Sequence, residues 1–121
     1  MATSISYLPE MVDLECYAGD GASLQLNAGD GNGNVVSLEG DITAQVRRNR
    51  SDEDALLVFK ADMTKAEEGI VILWLTGKDT ASLIDGNEPF KGVWDAQWTA
   101  VNSEPKTLVQ GNLTCTPDVT R

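Results

Sequence analysis

An all-β fold is what this sequence predicts: an antiparallel sandwich of seven or eight short strands with one short helical turn. Three observations carry that expectation. From Val12 onward apolar and polar residues alternate with a period of two, the mark of strands with one buried face. Glycine- and asparagine-rich turns separate the alternating stretches. The chain has 121 residues, 41% of them hydrophobic, enough for one domain with an ordinary core.

The elements follow in order. The first eleven residues contain Pro9 and show no clear period, so residues 1–11 read as an extended arm and 12–121 as the sandwich domain. Val12, Leu14 and Cys16 face one way, Asp13 and Glu15 the other. Ala18-Gly19-Asp20-Gly21 is a turn by composition, and Leu24 and Leu26 then alternate with Ser23, Gln25 and Asn27. Residues 28–34, AGDGNGN, form a longer turn, and Val36 and Leu38 are expected to close that hairpin. Ile42, Ala44 and Val46 mark the next strand, and the charged stretch 47–54 a loop.

Residues 55–63 read as one strand with Leu57, Phe59 and Ala61 inward. IVILWL at 70–75 is the strongest strand signal, being rich in β-branched residues. Thr76 with Asp79 three residues on forms a capping-box pattern, which predicts one or two helical turns. NEPFKG at 87–92 reads as a turn. Trp94, Ala96, Trp98 and Ala100 share one strand face, and Val109, Gly111, Leu113 and Cys115 another. Two sheets packing their apolar faces together satisfy these patterns as an immunoglobulin-like sandwich.

Composition excludes several functions. There is no His, which removes His-based acid/base catalysis, the Ser-His-Asp triad and every His metal ligand. The net charge is −10, and the first 46 residues hold no Lys or Arg. Such a surface repels nucleic-acid phosphates and anionic lipid headgroups. Arg47, Arg48 and Arg50 are followed at once by Asp52, Glu53 and Asp54, a self-neutralising run that reads as a solvated turn. The longest apolar run has six residues, far short of the roughly 20 a helical membrane span needs. The opening MATSISYLPE has neither a basic start nor an apolar core, so no signal peptide is expected. Cys16 and Cys115 lie far apart with no metal-binding spacing; they fall on the first and last strands, which neighbour each other in many sandwiches, and both are expected as free thiols in a reducing cytosol.

Three motifs invite chemistry. Asp30, Asn32, Asn34 and Asp41 echo the spacing of a calcium loop, but position 6 is Val35 and position 12 is a short Asp. A glycine-rich hairpin turn explains the segment better, so no metal or other cofactor is expected. Acid pairs could suggest a glycosidase, but 19 acids in this length make pairs by chance, and no base activates a nucleophile. No catalytic residue is therefore assigned. The tryptophans divide: Trp94 and Trp98 flank Ala96 on one face, as core packing requires. Trp74 stands with Ile70 and Ile72 opposite Val71, Leu73 and Leu75. A sandwich strand needs only one buried face, so the face of Ile72 and Trp74 is either covered by the N-terminal arm or the 76–84 turn of the same chain or is a contact surface, the second being the expectation.

The order of these pieces resembles a family of small β-sandwich virion proteins of tailed bacteriophages, especially phages of actinobacteria. The same domain is similar to the N-terminal module of some baseplate and receptor-binding proteins. The resemblance rests on Cys16-Tyr17-Ala18-Gly19-Asp20, Gly31-Asn32-Gly33-Asn34-Val35, ITAQVR at 42–47, LTGKDTASL at 75–83, WDAQW at 94–98 and GNLTCTPDVTR at 111–121. It covers nearly the whole chain from Asp13, and the order of the motifs with the closing PDVTR is its most specific part. This chain departs from the family where Ile72 and Trp74 replace the usual Thr positions, which implies extra subunit contact.

The resemblance implies a non-enzymatic structural protein of the virion, made in the host cytoplasm and present in several copies. A minor tail or tail-tip position is the first expectation, with capsid decoration or head–tail joining as the same-class alternative. A carbohydrate-binding module touching the host envelope is the alternative of a different class. Other virion proteins are the expected partners, and neither nucleic acid nor membrane is. The expected interface residues are Ile72 and Trp74 with Ile5, Tyr7 and Leu8 of the arm, since an arm of weakly apolar residues needs a neighbour to hold it.

Overall fold

A computed structural model describes residues 10–29 and 32–117. Among these described residues nine strands appear in chain order. They are β1 (Glu10–Met11), β2 (Leu14–Tyr17), β3 (Ala22–Asn27), β4 (Asp41–Arg47), β5 (Leu57–Val58), β6 (Lys60–Asp62), β7 (Ile70–Leu75), β8 (Phe90–Thr99) and β9 (Lys106–Thr116). A 3-10 turn at Ala66–Glu68 precedes β7, and one short helix, α1 (Gly77–Ser82), follows it. The larger sheet runs β1-β9-β8-β4-β5, with β2 also on β9; the smaller runs β3-β7-β6. The architecture is the immunoglobulin-like sandwich expected, with the core between the two inner faces.

The alternation in the sequence places the core correctly. Val71, Leu73 and Leu75 of β7 face Val46, Trp94, Ala96, Leu113 and Cys115 of the larger sheet, all buried. The capping box also forms: the Thr76 hydroxyl accepts from the Asp79 N–H at 3.1 Å, and the Asp79 carboxylate accepts from the Thr76 N–H at 2.9 Å. Two backbone donors that a helix start leaves unpaired are thereby satisfied.

Four details differ from the expectation. The sheet is not wholly antiparallel, because β1 and β2 both run parallel to β9. Residues 55–63 are not one strand: β5 pairs with β4 in the larger sheet, β6 pairs with β7 in the smaller, and Phe59 between them is buried. A strand pointing Leu57, Phe59 and Ala61 inward can cross from one sheet to the other because the same core receives all three. Val36 and Leu38 form no strand. A lone bridge joins Gly29 to Val35, and Leu38 is buried, its N–H donating to the Ala66 carbonyl at 2.8 Å. Phe90, Lys91 and Gly92 belong to β8 rather than to a turn, since Phe90 is a core residue opposite Cys115.

The first strand is interrupted at Val12 and Asp13, and the interruption has a specific cause. Trp94 is 2% exposed, and its indole Nε1–H donates to the Val12 carbonyl at 2.8 Å. Its ring meets Phe59 at 5.6 Å between centroids, a tilted aromatic pair. The register partner of Trp94 on β9 is Gly111, and a Cβ there would lie 1.9 Å from the Val12 oxygen. Glycine lets the first strand pass this close. The Asp13 carboxylate then accepts from the Asn112 N–H at 2.9 Å, taking the place of a strand-to-strand bond.

Gly111→Ala is expected to destabilise the domain by about 3 kcal/mol, because the backbone of Val12 has to move off the Trp94 bond. A urea titration of the two proteins measures the difference. A second expectation concerns acid. Hydrogen bonding from the Thr76 N–H holds the Asp79 carboxyl below its ordinary 3.8. Asp79 therefore stabilises the fold above that ordinary value, and its contribution is lost as pH falls through the lower folded value. Asp79→Asn should lose less stability than the parent between pH 5 and pH 2, read from urea midpoints at each pH.

Candidate protein-interaction face

β7 is the central strand of the smaller sheet, flanked by β3 and β6. Its β-branched and aromatic residues suit that position, where both faces carry side chains between neighbours. Val71, Leu73 and Leu75 are at most 1% exposed, on the core side. Ile70, Ile72 and Trp74 are partly buried on the opposite face. The structure thus places Ile72 and Trp74 away from the core, on the side the alternation assigned them.

The register defines their surroundings. Trp74 lies between Ser23 of β3 and Lys60 of β6; Ile72 lies between Gln25 and Asp62. An apolar row therefore runs down the middle of the face. Uncharged Ser23, Gln25 and Asn27 border it on one side, and Lys60 and Asp62 on the other. A shallow depression lined by Gly21, Ala22, Ser23, Ile72, Trp74 and Leu75 opens at the Trp74 end. Asp62 is committed to its own turn. The N–H and the hydroxyl of Thr64 donate to its carboxylate at 2.9 and 2.7 Å, which holds its pKa below the ordinary value. It stays ionised at the rim rather than at the centre of the face.

Segment 76–84 turns its buried side chains elsewhere. Thr80 is fully buried; its hydroxyl donates to the Asp20 carbonyl at 2.8 Å and accepts from the Gly19 N–H at 3.0 Å. A Cβ on Gly77 would lie 2.3 Å from the Gly19 oxygen, so α1 seats directly on the 17–20 turn. Leu83 joins the core.

The other expected interface residues, Ile5, Tyr7 and Leu8, lie outside the described residues. Of the two tryptophans expected in the core, Trp94 is there; Trp98 is only partly buried, at the end of β8, with its Nε1–H donating to the Glu39 carbonyl at 3.0 Å. The sequence reading passed over several exposed apolar side chains, among them Met11, Tyr17 and Val58. Their signal was the same alternation, since Met11 and Tyr17 fall on the opposite parity from Val12 and Cys16. They are scattered single residues, which are ordinary on a protein surface. Among the described residues no group of three or more acids or cysteines is placed to hold a metal. No helix there is long and apolar enough to cross a membrane.

No protein-family model matches the chain, and no curated protein matches it in sequence. Among solved structures it is similar to a chain from the crystal structure of ICOS in complex with ICOS-L and an anti ICOS-L VNAR domain. The identity is 9% and the TM-score 0.47, covering 90% of this chain and 55% of that one. It is also similar to the 2,6-sialyltransferase of Vibrionaceae Photobacterium sp. JT-ISH-224, at 10% identity and TM-score 0.34, covering 90% of this chain and 18% of that one. The chain spans about half the length of the first and under a fifth of the second. Likenesses this distant say nothing of activity.

The two faces of β7 should separate cleanly in stability measurements. Trp74→Ser is expected to change the unfolding free energy of the isolated domain by less than about 1 kcal/mol, as for a surface position. Leu73→Ala, which empties a core position at the preceding residue, should cost about 2–5 kcal/mol. Equal losses would place Trp74 in the core.

Proposed function

We propose that this chain is a non-enzymatic structural protein of a tailed-bacteriophage virion, held in a tail or tail tip by contacts with neighbouring virion proteins. One observation carries the interface: Ile70, Ile72 and Trp74 form an apolar row on the sheet face away from the core. The chain has a net charge of −10, so it repels its own kind over most of its surface. A contact centre depleted of charge and containing a tryptophan is where such a molecule can associate. The virion setting is supported by the order of motifs through PDVTR, and the several-copy, cytoplasm-assembled character follows from that setting. Capsid decoration or head–tail joining would use the same face.

Ser23 and Lys60 beside Trp74 favour a second reading, a sugar stacked on the indole with polar groups around it. The test uses particles of the phage that encodes the chain. Under the proposal, particles purified by density banding contain the protein, and Trp74→Ala lowers its incorporation at least tenfold, the loss of a contact of about 2 kcal/mol at the centre of an interface. The isolated variant keeps its melting temperature. Particles without the protein would refute the virion role. Undiminished incorporation together with lost binding to host-envelope glycans would favour the sugar reading.

A further inference from the structure

The fold brings Cys16 and Cys115 together from opposite ends of the chain. They are register partners on the parallel strands β2 and β9. Neighbouring strands lie about 4.8 Å apart, within the roughly 4.4–6.8 Å between Cα atoms that a disulfide spans. Both side chains are buried on the inward face, and both are free thiols. The Cys115 thiol donates to the Thr80 carbonyl at 3.5 Å, and the two thiols are close enough to perturb each other's titration. Cys115 is fully enclosed, whereas Cys16 borders a narrow cleft between the sheets with Ser23, Leu24 and Phe59. A reagent entering that cleft meets Cys16 first.

We infer that Cys16 and Cys115 are a paired dithiol that a small disulfide oxidant converts to an intrachain disulfide, stapling the first part of the sandwich to its last strand. Oxidised glutathione serves as the oxidant. The Cys16 thiolate attacks one glutathione sulfur, forming a mixed disulfide and releasing one glutathione thiolate. The Cys115 thiolate then attacks the Cys16 sulfur and releases the second. The protein loses two protons and two electrons, and one glutathione disulfide becomes two glutathione thiols. In a reducing cytosol the pair stays as two thiols.

Burial and the neighbouring Cys115 thiol push the Cys16 thiol up to about 12, and burial raises Cys115. Thiolate is therefore scarce in the folded chain at neutral pH, and the closed pair reacts slowly. β2 has four residues and its other edge pairs with no strand among the described residues. Opening of β2 is the step that admits the oxidant. The bond would close a loop running from residue 16 to residue 115, almost the whole chain, and long loops lose the most unfolded-state freedom on cross-linking.

The full chain is refolded from denaturant in oxidised glutathione at mildly alkaline pH, with a parallel sample in a reducing agent. The expected product is a monomer lighter by about 2 Da with no thiol titratable in denaturant. It should melt about 10 °C or more above the reduced form. Cys115→Ser should stop at a glutathione adduct on Cys16. Two titratable thiols after refolding, a stable double glutathione adduct or disulfide-linked dimers would each overturn the pairing. An oxidised monomer that melts no higher than the reduced one would overturn the staple.

Discussion

The close passage of the first strand over Gly111 is the constraint around which the larger sheet is built. Trp94 fills the core beneath it and bonds the Val12 carbonyl. That carbonyl is taken out of the ladder, and a buried carbonyl without a partner would be costly. Only a glycine on β9 leaves space for the approach. β1 and β2 keep the same register on β9 on either side of the break, so the interruption is a local arch in one continuous parallel pairing. The indole bond and the Asp13–Asn112 bond replace the ladder bonds lost at the arch, and Gly111 leaves the space for it.

The opposite end of the sandwich is held by Thr80. Its hydroxyl links α1 to the 17–20 turn, and its carbonyl receives the Cys115 thiol. One buried polar residue thus ties together a helix, a turn and the last strand, with its hydroxyl both donating and accepting. A threonine suits the role because its hydroxyl also reaches the Gly77 carbonyl at 3.1 Å within the helix. The cysteine pair sits against this node, so any strain from joining the two sulfurs falls on a part of the fold already fixed from both sides.

The two sheets differ in what they show to solvent. On the outer face of the larger sheet Arg47 lies 3.9 Å from Asp95 and bonds Gln45, and Arg50 reaches Gln110 at 2.7 Å. Polar side chains there bond one another. On the smaller sheet the central strand instead presents isoleucines and a tryptophan, and the charges stand on the edge strand β6. In an acidic chain a row without charge of its own carries little electrostatic cost to cover. The larger sheet also exposes single apolar residues, Met11, Tyr17 and Val58, whereas the smaller sheet sets Ile70, Ile72 and Trp74 in one row, and the proposed assembly role rests on that row.

The sequence by itself determined which side of each regular strand is buried. Leu24, Ala44, Val46, Val71, Leu73, Leu113 and Cys115 all lie on the side the alternation assigns, because the period of a strand is a local property of the backbone. The Thr76–Asp79 cap was equally legible, since its two bonds span three residues. The outward position of Ile72 and Trp74 could be read the same way. Tertiary structure alone decided which strands meet. The parallel pairing of β2 with β9, the crossing of Phe59 between sheets, the seating of Leu38 against the 3-10 turn and the burial of Thr80 all join residues distant in sequence or carry no periodic signature. The same holds for the two cysteines. Alternation assigns each to an inward face, but their adjacency exists only once a chain 99 residues removed has returned to the same edge, and no local pattern encodes that return.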